Sequence, residues 1–265
     1  MCYSISQMKQ KAYKAALRDS APQEEIDRLY NEWQESQRTD TEDDQTTPMA
    51  YLNGYDHPRL YTLIYTDNWQ ATRFEWGLIP EWTKSESDAL TIRNKTLNAR
   101  GESMFDKPAF KQAAIEKRCL IFVDGFFEYH HKNGRTFPHF IQHKEKDSPL
   151  VFGGLWSFWK NPTTGQEKYS TSIITTIGND LMMSIHNNPK LEEARMPLIL
   201  LPSQFETWLQ SKHEKEIKQL VQPYPSDVLE AYPVRRLIGV KGIGDVPQAV
   251  ERIEYPDLTE QGRLF

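Results

Sequence analysis

Cys2 directly follows Met1, and its side chain is small enough for the methionine to be removed, which would expose an α-amine and a thiol on one residue. The amine, with a reference pKa of about 7.7–8.0, is partly neutral near physiological pH and can form a Schiff base with an aldehyde. The thiol, with a pKa of about 8.5, can then close on the same carbon as a thiazolidine ring. Taken alone, a cysteine at position 2 is more often an arbitrary terminal residue than a nucleophile. The second cysteine, Cys119, lies in an apolar run and reads as a buried small hydrophobe. Two cysteines supply neither a disulfide framework nor a Cys-rich zinc site. His130, His131, His139 and His143 fall on one predicted hairpin, but no cysteine or suitably spaced acid completes a metal site, and no Gly-rich phosphate loop is present. No metal and no cofactor is expected.

The elements that must position these groups come from 265 residues, 38% hydrophobic and 12% aromatic, enough for one substantial core. The expectation is a single domain over 1–265. No segment approaches the ~18 consecutive apolar residues of a membrane span, and residues 1–20 carry Lys9, Lys11, Lys14 and Arg18 without the apolar stretch of a secretory signal. This predicts a soluble cytoplasmic monomer with no membrane partner. The net charge is −5. Residues 21–48 hold nine acids against Arg28 and Arg38, a local net of −7 that leaves +2 elsewhere, so overall charge does not exclude a basic groove for nucleic acid.

Helices are predicted over 9–17 and 24–37, the second within an acidic, solvated insertion at about 21–48. From residue 60 the texture changes to short β-branched and aromatic runs, at 60–66, 70–76, 118–123, 126–131, 137–143, 150–157, 169–176 and 196–200, with helices at 110–117, 180–184, 203–210 and 214–221. Asn133-Gly134 predicts a tight hairpin because both residues tolerate positive φ, and a final strand is expected after Pro233. Strands and short helices without a βαβ rhythm indicate an α+β fold, with a curved, mostly antiparallel, barrel-like sheet flanked by short helices.

Five blocks follow Cys2 in order: Trp76-Gly-Leu-Ile-Pro-Glu-Trp82, Asn98-Ala-Arg100-Gly-Glu102, Arg118 through Asp124-Gly-Phe-Phe-Glu128-Tyr129, Gly153-Gly-Leu-Trp156, and Thr175-Thr176 with His186 and Arg195-Met-Pro197. Together they resemble the SRAP family (SOS response-associated peptidase, or abasic-site processing proteins). The likeness runs from Cys2 to about Leu200. It implies a domain that binds single-stranded DNA and crosslinks its N-terminal cysteine to the ring-opened sugar of an abasic site. On the matching positions, Cys2, Glu128 and His186 would be catalytic, Asn98 and Arg100 would hold the DNA near the lesion, Trp76 would stack on or wedge between bases in preference to Trp82, and Arg118 and Arg195 would contact phosphate. An aldehyde becomes an imine only by losing water, so a proton donor must reach the departing hydroxyl, a task for protonated Glu128 or His186.

The chain also departs from the family pattern. Tyr3 and Ser4 replace the usual Gly-Arg, removing a basic contact beside the nucleophile and pointing to Lys9 or Lys11 instead. Phe122 replaces a proline, Phe127 and Tyr129 replace Tyr and Trp, and 187–194 lengthens the spacing from His186 to Arg195. Two other readings stay open at this level. One is a cysteine hydrolase, a peptidase acting on its own terminus or an N-terminal-nucleophile amidotransferase, and the other is a non-catalytic reader of modified DNA.

Overall fold

The computed structural model describes residues 2–7, 49–145, 148–188 and 192–259. The helices expected at 9–17 and 24–37, the acidic insertion, and Lys9 and Lys11 lie outside the described residues. The strands are β1 (Ser4–Ser6), β2 (Leu52–Asn53), β3 (Arg59–Tyr65), β4 (Trp69–Trp76), β5 (Asn98–Arg100), β6 (Arg118–Val123), β7 (Gly125–Lys132), β8 (Arg135–His143), β9 (Leu150–Lys160), β10 (Glu167–Ile177), β11 (Arg195–Pro197) and β12 (Leu229–Pro233). The helices are α1 (Glu86–Arg93), α2 (Lys111–Glu116), α3 (Asp180–Ile185), α4 (Phe205–Gln210), α5 (Glu214–Leu220) and α6 (Pro256–Thr259).

β10–β4–β3–β6–β9 closes on itself through the β9–β10 pairing. Its ladders are antiparallel except β4–β10, where Trp76 pairs with Thr171. Closure removes the unpaired edges of these strands. All six residues of β6 are buried, as its near-continuous apolar run requires. Glycine permits the close approach of β9 to β6: a Cβ on Gly154 would lie 2.8 Å from Cys119 Sγ. A second sheet, ordered β12-β8-β7-β1-β2, lies against the barrel. The α+β fold with a barrel-like, mostly antiparallel core is therefore found, and the β7–β8 hairpin turns on Asn133 (φ 51°) and Gly134 (φ 71°) as the sequence predicts.

Two expectations are corrected. The last strand ends at Pro233 rather than beginning after it, and beyond it the chain makes one isolated bridge, Val234 to Arg252, and short helical turns. Helix α1 was not foreseen. Only Ala89 of α1 is buried, so it lacks an apolar stripe and is set instead by its Ser85 cap, which accepts from Asp88 N at 3.1 Å.

The core is continuous across the two sheets. Ile5, Phe126 and Ile141 from the second sheet pack with Trp76, Ile121 and Phe152 from the barrel, each buried side chain contributing about 1.5–3 kcal/mol. Cys2 belongs to this cluster. A further cluster packs α2, α4 and α5 on the barrel through Phe110, Trp208 and Ile217.

Candidate active site at the amino-terminal strand

Three residues form β1, too few to hold position by ladder bonds alone. It lies between β2 and β7, with Ser4 opposite Asn53 and Ile5 opposite Phe126. Gln7 fastens its far end, donating to Phe122 O at 2.6 Å and Tyr61 O at 3.2 Å and accepting from Tyr61 N at 3.0 Å. Gly54 N donates to Tyr3 O at 2.8 Å. At Cys2 itself, Asn98 Nδ2 donates to the carbonyl oxygen at 2.7 Å. Asn98 stands on β5, which β10 fixes in parallel register opposite Ile173. Gly125 opens β7 because any Cβ there would come within 2.4 Å of Ile141 O.

Antiparallel pairing from Ile5 and Phe126 carries the register on to bring the start of the chain alongside Glu128. Glu128 is buried, and its Oε2 lies 2.9 Å from Nδ1 of the buried His186. No aligned hydrogen bond joins the two groups, so the contact is held by position. Two local devices produce that position. Asn179 caps α3, accepting from Met182 N at 2.9 Å, and His186 closes the helix with its backbone N–H on Met182 O at 2.7 Å. Asn187 then clamps the chain to β7, accepting from His131 N at 2.7 Å and donating to His131 O at 2.9 Å. The sequence reading missed Asn187, treating it as spacer; its amide doubles a β-ladder across 56 positions.

Glu128 and His186 line a cavity of about 470 Å³ together with Tyr3, Tyr129, Arg236 and Ile238, a size ordinary for a small-molecule or nucleotide site. Burial, followed by the Glu128 carboxylate, pushes the Cys2 thiol up to about 12. Its Sγ donates to Ser4 O at 3.7 Å, so the thiol is held neutral. Ser4, where the family pattern has arginine, donates to Tyr51 OH at 3.3 Å. Burial also raises the pKa of the neighbouring Tyr129 hydroxyl.

The other expected DNA contacts divide. Arg100 is exposed, with Nη1 3.7 Å from Glu193 Oε1 and not paired to Glu102, and its guanidinium remains open to a ligand. Trp76 is fully buried, its Nε1 donating to Leu97 O at 2.8 Å while its ring lies under Gly54. It is a core residue with no face to offer a base, whereas Trp82 is 54% exposed, which reverses the preference between them. Arg118 is also a core residue. It donates to Ala114 O at 2.6 Å and Ile115 O at 2.8 Å at the end of α2, and to Trp208 O in α4. These are carbonyls that helix ends leave unpaired, and burial lowers its pKa to about 10. Arg195 is buried and forked onto Glu102 at 2.8 and 3.1 Å, with Glu193 at 2.9 Å. Neither arginine is free for phosphate, because each guanidinium is already spent on protein acceptors.

Comparison with known proteins shows the family. Residues 3–240 match the family model of the SOS response associated peptidase (SRAP). The chain is 38% identical over 170 residues to the abasic site processing protein YoqW of Bacillus subtilis, covering 63% of this chain and 70% of that protein. It is 30% identical over 200 residues to the abasic site processing protein HMCES of Gallus gallus, covering 68% of this chain and 56% of that one. A crystal structure of a protein from Bacteroides thetaiotaomicron superposes with a TM-score of 0.76 at 31% identity, over 96% of this chain and 100% of that one. Among the described residues no helix is long and apolar enough to cross a membrane.

Proposed function

The chain belongs to the SOS response associated peptidase (SRAP) family, and on that premise we propose that it processes abasic sites in single-stranded DNA by joining Cys2, once Met1 is removed, to the lesion's aldehyde. The observation that carries this reading is the convergence of three groups. Asn98 grips the Cys2 carbonyl at 2.7 Å, the Glu128 carboxylate acts on the buried Cys2 thiol, and the Glu128–His186 pair, 2.9 Å apart, lines a cavity that the adjoining Tyr3 also lines.

The chemistry uses those groups in order. The neutral α-amine of Cys2 attacks the aldehyde carbon of the ring-opened sugar, giving a carbinolamine. Glu128 or His186 in its protonated form donates to the hydroxyl, which leaves as water as the imine forms. The thiol sulfur adds to the imine carbon, its proton passing through the same carboxylate–imidazole pair, and the imine nitrogen ends as the amine of a thiazolidine. One water is lost overall, and no oxidant is needed. In this reading Arg100, exposed on β5 two residues beyond Asn98, holds a phosphate, its planar fork matching the anion.

The hydrolase reading fits less well. A thiolate nucleophile needs a lowered pKa, whereas burial raises the Cys2 thiol, which is bonded to Ser4 O.

The test is incubation of processed protein with single-stranded DNA containing one abasic site, followed by denaturing electrophoresis. A shifted, denaturation-resistant band is expected, absent in Cys2→Ser and formed at least about 100-fold more slowly in Glu128→Gln, the usual scale of a lost general acid. No band from the wild type refutes the proposal, and ammonia released from glutamine favours an amidotransferase.

A further inference from the structure

The cavity has a second wall that this chemistry leaves unused. It is built by residues 235–244, which follow β12 and carry Arg235, Arg236 and Lys241 with no acid. Leu237 is buried with Phe127, Phe140 and Tyr232, and this anchor leaves the side chains on either side of it, Arg236 and Ile238, lining the cavity. The segment is not loose. Ile243 N donates to Arg236 O at 3.0 Å, Gly244 N to Leu237 O at 3.1 Å, and Gly242 N to Gly239 O at 2.8 Å. Gly239 and Gly244 take left-handed φ of 81° and 67°, and a Cβ on Gly242 would lie 2.5 Å from Leu237 O.

On this frame sit an exposed cation and exposed apolar side chains. Ile238 is 53% exposed, and Val240 at the tip is fully exposed. Nearby Arg135 is tied to Asp257 and Arg252 to Glu230, while no ion pair engages Arg236 among the described residues. A guanidinium beside a protruding isoleucine, at the mouth of a cavity holding a carboxylate and an imidazole, suits a nucleic-acid strand. The cation takes a phosphate, and the apolar side chain packs on a base or wedges beside one that is missing.

We propose that residues 235–241 are a DNA-contact element of this site, in which Arg236 holds the backbone phosphate next to the reacting sugar and Ile238 packs against the adjacent base. The proposal rests on reading the cavity as an abasic-site pocket, and it supplies a basic contact that Ser4 does not.

The probe is a single-stranded oligonucleotide with a central tetrahydrofuran, an abasic analogue without an aldehyde, so that binding is read apart from crosslinking. Affinity is measured by fluorescence anisotropy across a salt series. Arg236→Gln should reduce the slope of log K against log salt by about 0.7, the value of one phosphate contact on a single strand, and Arg236→Lys should restore it. Ile238→Ala should weaken binding about 10-fold with the slope unchanged. Thermal midpoints should stay at wild type, since neither side chain is packed in the core. A wild-type slope in Arg236→Gln, or no binding by the wild-type protein, overturns the proposal. A reduced slope from a protein that forms no crosslink with true abasic DNA supports this contact and sinks only the covalent chemistry.

Discussion

Alkylation of Cys2 offers a direct check on the state of the nucleophile. Burial, reinforced by the Glu128 carboxylate, lifts its thiol from an ordinary 9.0 to about 12. At pH 8 a thiol of pKa 9.0 is about one-tenth thiolate and one of pKa 12 about one part in ten thousand, so the reactive species falls by about a thousandfold. Iodoacetamide should therefore modify Cys2 of the folded protein about three orders of magnitude more slowly than in urea. Peptide mapping by mass spectrometry separates it from Cys119, which burial also raises to about 12. The rate should climb about tenfold per pH unit from 7 to 11 without bending near 9. The same shift bears on stability. Because the folded pKa is the higher, the contribution is complete below pH 9 and is lost at about 1.4 kcal/mol per pH unit as pH rises towards 12, where the unfolded chain ionises first. A bend near pH 9, or equal rates in folded and denatured protein, would refute the reasoning and remove the argument that the amine reacts before the sulfur.

Further tests separate core from interface. Trp76→Ala should cost about 3–5 kcal/mol in urea unfolding, because it empties a core site and orphans Leu97 O, whereas Trp82→Ala should stay within about 1 kcal/mol. A mild Trp76→Ala would contradict its placement. Arg118→Met should destabilise by about 3 kcal/mol or more by stripping the α2 and α4 carbonyls of their donor, and it should leave the salt dependence of DNA binding at the wild-type slope. Arg100→Ala should instead weaken single-stranded DNA binding and flatten that slope by about 0.7; an unchanged slope removes Arg100 from the phosphate contacts.

Legibility in the sequence followed how local each signal is. The Asn133-Gly134 turn and the long strands could be read because positive φ and β-branched runs are properties of a few neighbouring residues. β1 and β5, three residues each, carry no periodicity, and they exist only because β7 and β10 offer them edges. At the site, the residue types of Cys2, Asn98, Glu128 and His186 were readable in their blocks, but Asn187 was not, since its role depends on His131 in a distant strand. The arginines were misjudged for a physical reason. A guanidinium that satisfies helix carbonyls, as in Arg118, or two carboxylates, as in Arg195, has the same sequence signature as one waiting for phosphate. The one available clue was that Arg118 begins the wholly apolar run of β6, where a charge survives only if fully bonded.

Hydrogen-bonding capacity beside Cys2 bears on how a ligand would be held there. Many buried polar groups are saturated, Gln7 with three backbone bonds and Arg118 across two helix ends, while Arg93 Nε, Ser172 Oγ and Arg195 Nε, away from Cys2, have no aligned partner among the described residues. Asn98 spends an amide proton on the Cys2 carbonyl, yet its buried Oδ1 has no aligned partner among the described residues, and neither does His186 Nδ1 despite the nearby carboxylate. An unpaired buried oxygen such as Asn98 Oδ1 costs about 1–3 kcal/mol. A ligand that brings a hydroxyl or amine group to Asn98 Oδ1 would meet an acceptor already positioned by the β5–β10 pairing. Such a bond would offset that cost.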